Sequence, residues 1–287
     1  MAGDAGLFGP DSMTWRIHAD PVMGIGGLRA LHLQALHPLA MAGVAQHSGF
    51  RADPWGRLMR TVNYVTTVSF GTTAQVERAA ARVRGIHRPL HGVEPESGAA
   101  YRVEDPELLR WVHCCLVDSF LTTYRRAGGP LTDAEADAYV AEQVRAAALV
   151  GIDPGGVPSS VRELAHYFAL MRPELRATKE ARRAAAFVLL PPMPSRRLAV
   201  AKPAWAGIAG TAFALMPRWA RRLYGVPVVP GQDLAATATV RALRTSLLLV
   251  PASVREGPPV RDARARAAGV SPDARQQGRR RLLGETG

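Results

Sequence analysis

Cysteine is nearly absent from this sequence. Its 287 residues contain two, Cys114 and Cys115, and they are neighbours. Adjacent cysteines rarely bridge one another, so a disulfide framework is excluded. Two buried thiols in an apolar helix are expected instead, which fits a reducing, cytoplasmic setting. Lysine is equally scarce: 34 of the 36 basic residues are arginine. The net charge of +12 therefore reflects an arginine bias, and no specific nucleic-acid partner is expected from it. Aromatic residues make up only 6%. A clean apolar run of about 18 residues, the length of a membrane-spanning helix, is missing. The nearest stretch, 198–216, is broken by Lys202, Pro203 and two glycines. The opening residues MAGDAGLFGPDSM have neither a basic start nor an apolar run, so no signal peptide is expected. No internal repeat is evident.

What remains is a helical vocabulary. Hydrophobic residues reach 47%, and Ala, Leu and Arg, all good helix formers, dominate. An all-α, single multi-helix domain is expected over 13–252. Residues 1–12 are expected to be a flexible N-terminus. Residues 253–287 are expected to be a disordered, Arg-rich tail; from Arg255 onward there are eight arginines against four acidic residues. Apolar periodicity predicts a helix over 27–45, kinked at Pro38, then helices over 54–70, 73–87 and 106–125. Thr132 opens the next, with Glu135 completing a capping box, and it ends near Leu149. Further helices are expected from Ser159 or Ser160 to Leu170, over 174–190, one or two within 195–224, and over 232–250. Residues 92–104 read as a turn-rich loop or hairpin.

The chemistry concentrates between Arg29 and His91. Five of the eight histidines lie there: His32, His37, His47, His87 and His91. An imidazole among small and apolar residues needs a partner or a metal. A kink at Pro38 would turn His37 inward. Asp53 and Pro54 read as the cap and first residue of a helix that sets Arg57 and Thr61 one turn apart on one face. An arginine on an apolar stripe seeks an anion, or else reaches for solvent. Thr72 or Thr73 caps the following helix, which must stop near His87 because Pro89 forces Arg88 out of helical geometry. His87 and His91 therefore cannot share a helix face as a metal pair. His87 ends the helix where the backbone dipole is negative, which is expected to make its ring more basic. His113 lies beside the inner face of the 106–125 helix. A single Glu-x-x-His, Glu163 and His166, falls short of the two pairs that a carboxylate-bridged di-iron bundle requires.

The sequence resembles the catalytic domain shared by rubber oxygenases (latex clearing proteins) and MpaB-type oxygenases. The resemblance runs from about Trp15 to Pro230. It rests on LHLQALHPLAMAGVAQHS at 31–48, DPWGRLMRT at 53–61, VRGIHRPLHG at 83–92 and YRVEDPELLRWVHCCLVDS at 101–119, with PLTDAEADAYVAEQ and LVGIDPGGVPSSVREL following in order. It implies a globin-like core holding one haem b. Carried over, His87 is the iron ligand, with His91 as the other candidate. Arg57 and Thr61 match the catalytic pair beside the haem pocket. His113 matches a second histidine that orients a ligand or propionate, and His37 is expected in the same pocket. Arg60 stands where rubber oxygenases have a lysine able to cap the iron, and an arginine is a poor iron ligand because it keeps its proton.

The implied function is a haem-dependent oxygenase that activates O2 and acts on a small hydrophobic, lipid- or isoprenoid-like molecule. It would need an electron donor, which the sequence does not identify. The alternative is a non-catalytic haem- or lipid-binding module, peripherally membrane-associated through residues 217–224 and the Arg-rich tail. A third reading, a non-haem metal hydrolase, would bring His37, His47 and Glu163 together.

Overall fold

The computed structural model describes residues 3–49, 52–193, 195 and 197–270. Among them are fourteen α-helices and one two-stranded sheet, so the all-helical expectation holds. The frame is built on α2 (Met23–Gln34), which lies along α6 (Pro106–Arg126) and α10 (Lys202–Ala214). The α2–α6 approach is close because Gly26 has no side chain: a Cβ there would sit 2.8 Å from Phe120 Cδ1. Trp111 on α6 is fully buried and donates its indole N–H to the Gln34 carbonyl at 3.0 Å. Tyr139 and Val140 of α7 (Asp133–Leu149) complete this core with Leu164 and Phe168 of α8 (Val161–Met171).

The 27–45 segment is not one kinked helix. After α2 the chain breaks at 35–37 and restarts as α3 (Pro38–His47). Pro38 supplies the first residue, where its missing N–H costs nothing, and holds His37 extended at φ −85°, ψ 115°. The other start signals act as expected. Asp53 caps α4 (Pro54–Phe70) by accepting from Gly56 N at 2.9 Å. Thr72 and Gln75 form a capping box on α5 (Thr73–His87), and Thr132 and Glu135 form one on α7. Thr132→Ala is expected to lower stability by about 1 kcal/mol, read as a shift in urea midpoint, because it leaves an orphan N–H at the α7 start.

After α5 comes a hairpin of β1 (His91–Val93) and β2 (Ala100–Arg102), antiparallel with His91 opposite Arg102. Its turn closes on Glu94, which is buried and ion-paired to Arg176 at 2.8 Å. The helix expected over 174–190 starts later, as α9 (Lys179–Leu189), because Thr178 provides its cap. The 195–224 region gives α10 and α11 (Arg218–Leu223), and α12 (Gln232–Leu248) follows.

Both ends are more ordered than expected. Residues 3–12 pack on the body: Asp4 accepts from Thr73 N and Oγ1, and Ser12 caps α1 (Met13–His18). The Arg-rich segment forms α13 (Ala252–Arg255) and α14 (Pro258–Ala267). Val260 and Ala263 bury against Trp15 and Phe70, and Arg266 bonds the carbonyls of Asp4 and Phe70. Small apolar residues three apart suffice to dock a helix even in an arginine-rich stretch. The remainder of that expectation, 271–287, and residues 1–2 lie outside the described residues. The basic end at 217–224 is folded inward: Arg221 is fully buried, and Trp219 packs against Phe168.

Candidate functional site

Helix α4 is held at its two ends. Trp55 near its start donates to the Pro192 carbonyl at 2.8 Å and meets Trp205 edge-on at 4.8 Å. At the far end, Val68, Ser69 and Phe70 are buried. His18 bridges there, with Nδ1 2.6 Å from Ser69 Oγ and Nε2 2.9 Å from Tyr139 OH. Ser69 gives its own proton to the Val65 carbonyl at 2.8 Å, so His18 Nδ1–H donates to Ser69 and Nε2 accepts from Tyr139. α5 pairs with α4 and is buried only at Val76 and Ala80, towards its start. Near its end, Arg84 donates to the Leu149 carbonyl.

Between these anchors the pair presents half-buried stripes: Arg57, Thr61 and Val65 on α4, and Ala79, Val83 and His87 on α5. On α6, Leu109 packs against the cluster of Ala147, Ile152 and Val157 at one level, and the Phe120 and His18 ring centres lie 4.7 Å apart at the other. His113 falls on that same α6 face by helical spacing, half-buried between the two.

Arg57 Nη1 donates to Thr61 Oγ1 at 2.5 Å, and Thr61 Oγ1 donates to the Arg57 carbonyl at 3.1 Å. Among the described residues no carboxylate pairs with Arg57. Burial, and then the Arg60 charge, lower its pKa from the ordinary arginine value. The His87 ring has no hydrogen-bond partner among the described residues. Its pKa is lowered, first by burial and then by the Arg57 charge. The expected gain in basicity at the helix end is therefore overturned: desolvation and a nearby cation outweigh the dipole. His113 is also pushed down, to about 4, by burial. Both rings are neutral near pH 7, the form that ligates metals.

The other expected residues go elsewhere. His37 is buried against Trp111, ring centres 6.0 Å apart, with Nδ1 unpartnered. The charges that act on it are those of Glu174, Asp105 and Arg176, not Arg57. Arg60 turns outward to Asp53 at 3.2 Å. His91 is exposed, with Nδ1 3.0 Å from the Pro89 carbonyl. His47 meets the His91 carbonyl at 3.1 Å and Tyr101 OH at 3.3 Å, and Glu163 is spent on Ser159. His37, His47 and Glu163 thus do not converge, and no cluster of three metal-ligating side chains occurs among the described residues.

Tyr64 was not anticipated. It lies seven residues after Arg57, and burial pushes its pKa up to about 12 against the opposing Arg84 charge. The i+7 spacing on an apolar stripe was the available signal. Two surface cavities, of about 530 and 500 Å³, lie elsewhere and include none of Arg57, Thr61, His87 or His113.

Comparison with known families is decisive for class. The model of the catalytic domain of the ER-bound oxygenase mpaB/B' and rubber oxygenase matches residues 15–245. The chain belongs to that family. The match covers nearly all of α1 through most of α12, and so includes α4, α5 and α6. The domain is also similar to uncharacterized proteins of Mycobacterium bovis and Mycobacterium tuberculosis, each 29% identical over 105 residues. Those alignments cover 37% of this chain and 41% of each relative, so the chain spans about two fifths of their length. No solved structure matches. No helix among the described residues is long and apolar enough to cross a membrane.

Proposed function

We propose that this chain is a haem b-dependent oxygenase, with a globin-like haem-binding core, acting on a small hydrophobic molecule of lipid or isoprenoid type. The observation that carries this is that Arg57 and His87, both half-buried, lie close enough for the Arg57 charge to act on the His87 ring, in a chain of the oxygenase family; the face between them is the proposed haem recess. The residues fit the group. His87 offers a neutral, unpartnered imidazole; Arg57 offers a cation with no carboxylate; Val65 and Val83 offer apolar wall. His87 would hold the iron, Arg57 and Thr61 would meet a propionate or a polar oxygen, and His113 would orient a propionate or a bound ligand. His37, buried against Trp111, would act on the recess only from behind α6.

Bound there, haem supplies oxygen activation, drawing electrons from a separate donor. The protein's part is electrostatic and steric. Thr61 fixes the Arg57 guanidinium, so its charge is already oriented when an oxygen anion or carboxylate needs it. The apolar stripe admits a hydrophobic chain and keeps water out. Arg60, paired outward to Asp53, does not close the recess.

A second ligand assignment has its own support. The His91 Nδ1–H donates to the Pro89 carbonyl, which leaves Nε2 with the free lone pair common in metal-bound histidines. Its exposure weighs against it.

The test is an optical spectrum and iron assay of protein supplied with haem, followed by oxygen consumption with a short polyisoprenoid. Stoichiometric haem and substrate-dependent uptake are expected. Protein that stays colourless with haem present overturns the reading, and haem without uptake leaves the binding-module alternative. Arg57→Ala is expected to keep haem but lose at least about tenfold in uptake rate, the scale of one lost electrostatic contact.

A further inference from the structure

A second site lies between α2, α6, α11 and α12. Its cavity, about 500 Å³, is lined by Arg29, Arg126, Arg218, Asp118 and Asp233 among others. Arg29 is 1% exposed yet forms part of the wall. It donates to Asp118 Oδ2 at 2.8 Å, to Ser119 Oγ and to the Leu215 carbonyl. Asp233 is shared by Arg218 Nε at 2.6 Å and Arg221 Nη2 at 2.5 Å. Arg126 has no carboxylate: its donors go to Thr237 Oγ1 and to the carbonyls of Asp233 and Leu215. Arg221 is fully buried behind this wall, with Nε and Nη1 unpartnered.

Four guanidiniums thus meet two carboxylates. The excess positive charge is not a solvated surface run, because two of the four arginines are almost completely buried. Such groups are costly unless an anion neutralises them. The Arg126 pKa is lowered first by burial; the Asp233 charge raises it, and the Arg29 and Arg221 charges lower it again. Arginine in place of lysine matters here, since its planar fork pairs with two oxygens of one phosphate. The cavity size is that of a small-ligand site. Thr122 and Thr237 add hydroxyls, while Leu215, Met216 and the 77% exposed Leu234 give an apolar side for a carbon chain.

We propose that this pocket binds a phosphate-type oxyanion, with Arg126 and Arg218 as its direct contacts and Arg29 and Arg221 as the buried charges behind them. The oxyanion could belong to a soluble phosphate ester or to a phospholipid headgroup; the chemistry is the same. The site is separate from the His87 recess, so it stands whether or not the chain binds haem.

Inorganic phosphate, titrated at constant ionic strength against chloride, should raise the melting temperature of the full chain by roughly 5 °C near saturation. Arg126→Gln and Arg218→Gln should each weaken the phosphate midpoint at least tenfold. The Arg218 side chain is 62% exposed, so its variant should fold even where the Arg126 variant does not. Phosphatidic acid vesicles form the second arm, with phosphatidylcholine as control. Capture by phosphatidic acid that either variant abolishes, without an effect of free phosphate, assigns the headgroup. A phosphate effect equal to that of chloride, together with vesicle binding indifferent to both variants, overturns the site.

Discussion

His87→Ala is expected to purify without haem, while His91→Ala keeps it. The two residues are four apart, and Pro89 separates their environments. His87 ends α5 with a half-buried, neutral ring in the field of Arg57. His91 begins β1, exposed, with its Nδ1 on the Pro89 carbonyl. Removing an axial ligand removes the strongest protein–iron bond, so the expected change is loss of all haem absorbance rather than a shift. Far-UV circular dichroism and the urea midpoint of each variant separate loss of cofactor from loss of fold. Added imidazole should restore part of the absorbance in His87→Ala, since the ring fills the space it left. Loss of haem in His91→Ala with retention in His87→Ala would move the ligand to the strand.

The helices were readable where a cap and a stripe agreed. Asp53-Pro54, Thr72, and Thr132 with Glu135 start α4, α5 and α7 as expected, because these signals act within four residues; Gln75 adds an unforeseen capping box at Thr72. Pro38 was read as a kink when it is a start; the apolar pattern continues across 35–37, and only the backbone of His37 shows the break. α14 is hard to read because its composition is arginine-rich, and its stability comes from two small residues meeting Phe70, about 190 positions away, and Trp15, about 245 away. The Arg57–Thr61 pair was visible as an i,i+4 spacing, and it does form. The bridge His18–Ser69–Tyr139 was not, since its members are separated by 51 and 121 residues. His37 shows the same limit from the other side: its burial was expected, but which neighbour receives it depends on α6, and Trp111 rather than the recess does so.

Between pH 6.5 and 5 the protein is expected to lose stability steeply. His18, His32 and His113 are held neutral by burial, with pKa values pushed down to about 3, 4 and 4. In the unfolded chain each returns to the ordinary histidine value. A folded pKa below the unfolded one means that stability is complete above pH 6.5 and falls as pH drops towards the folded value. Each histidine contributes a loss of about 1.4 kcal/mol per pH unit in that window, so the three together approach about 4 kcal/mol per unit. Domains of this kind have about 5–15 kcal/mol in all, so the loss over this window is a substantial share of the total. His32 is the sharpest test. It is 1% exposed, both ring nitrogens lack partners, and Phe213 stands edge-on at 5.2 Å. His32→Leu removes two unsatisfied polar atoms while keeping most of the volume. It should equal or exceed the parent in stability at pH 7 and remove about a third of the pH slope, by roughly 1.4 kcal/mol per unit. Urea midpoints measured from pH 7.5 to 5 decide it: a flat profile in the parent, or an unchanged slope in His32→Leu, would mean that these rings are charged or hydrated inside the fold.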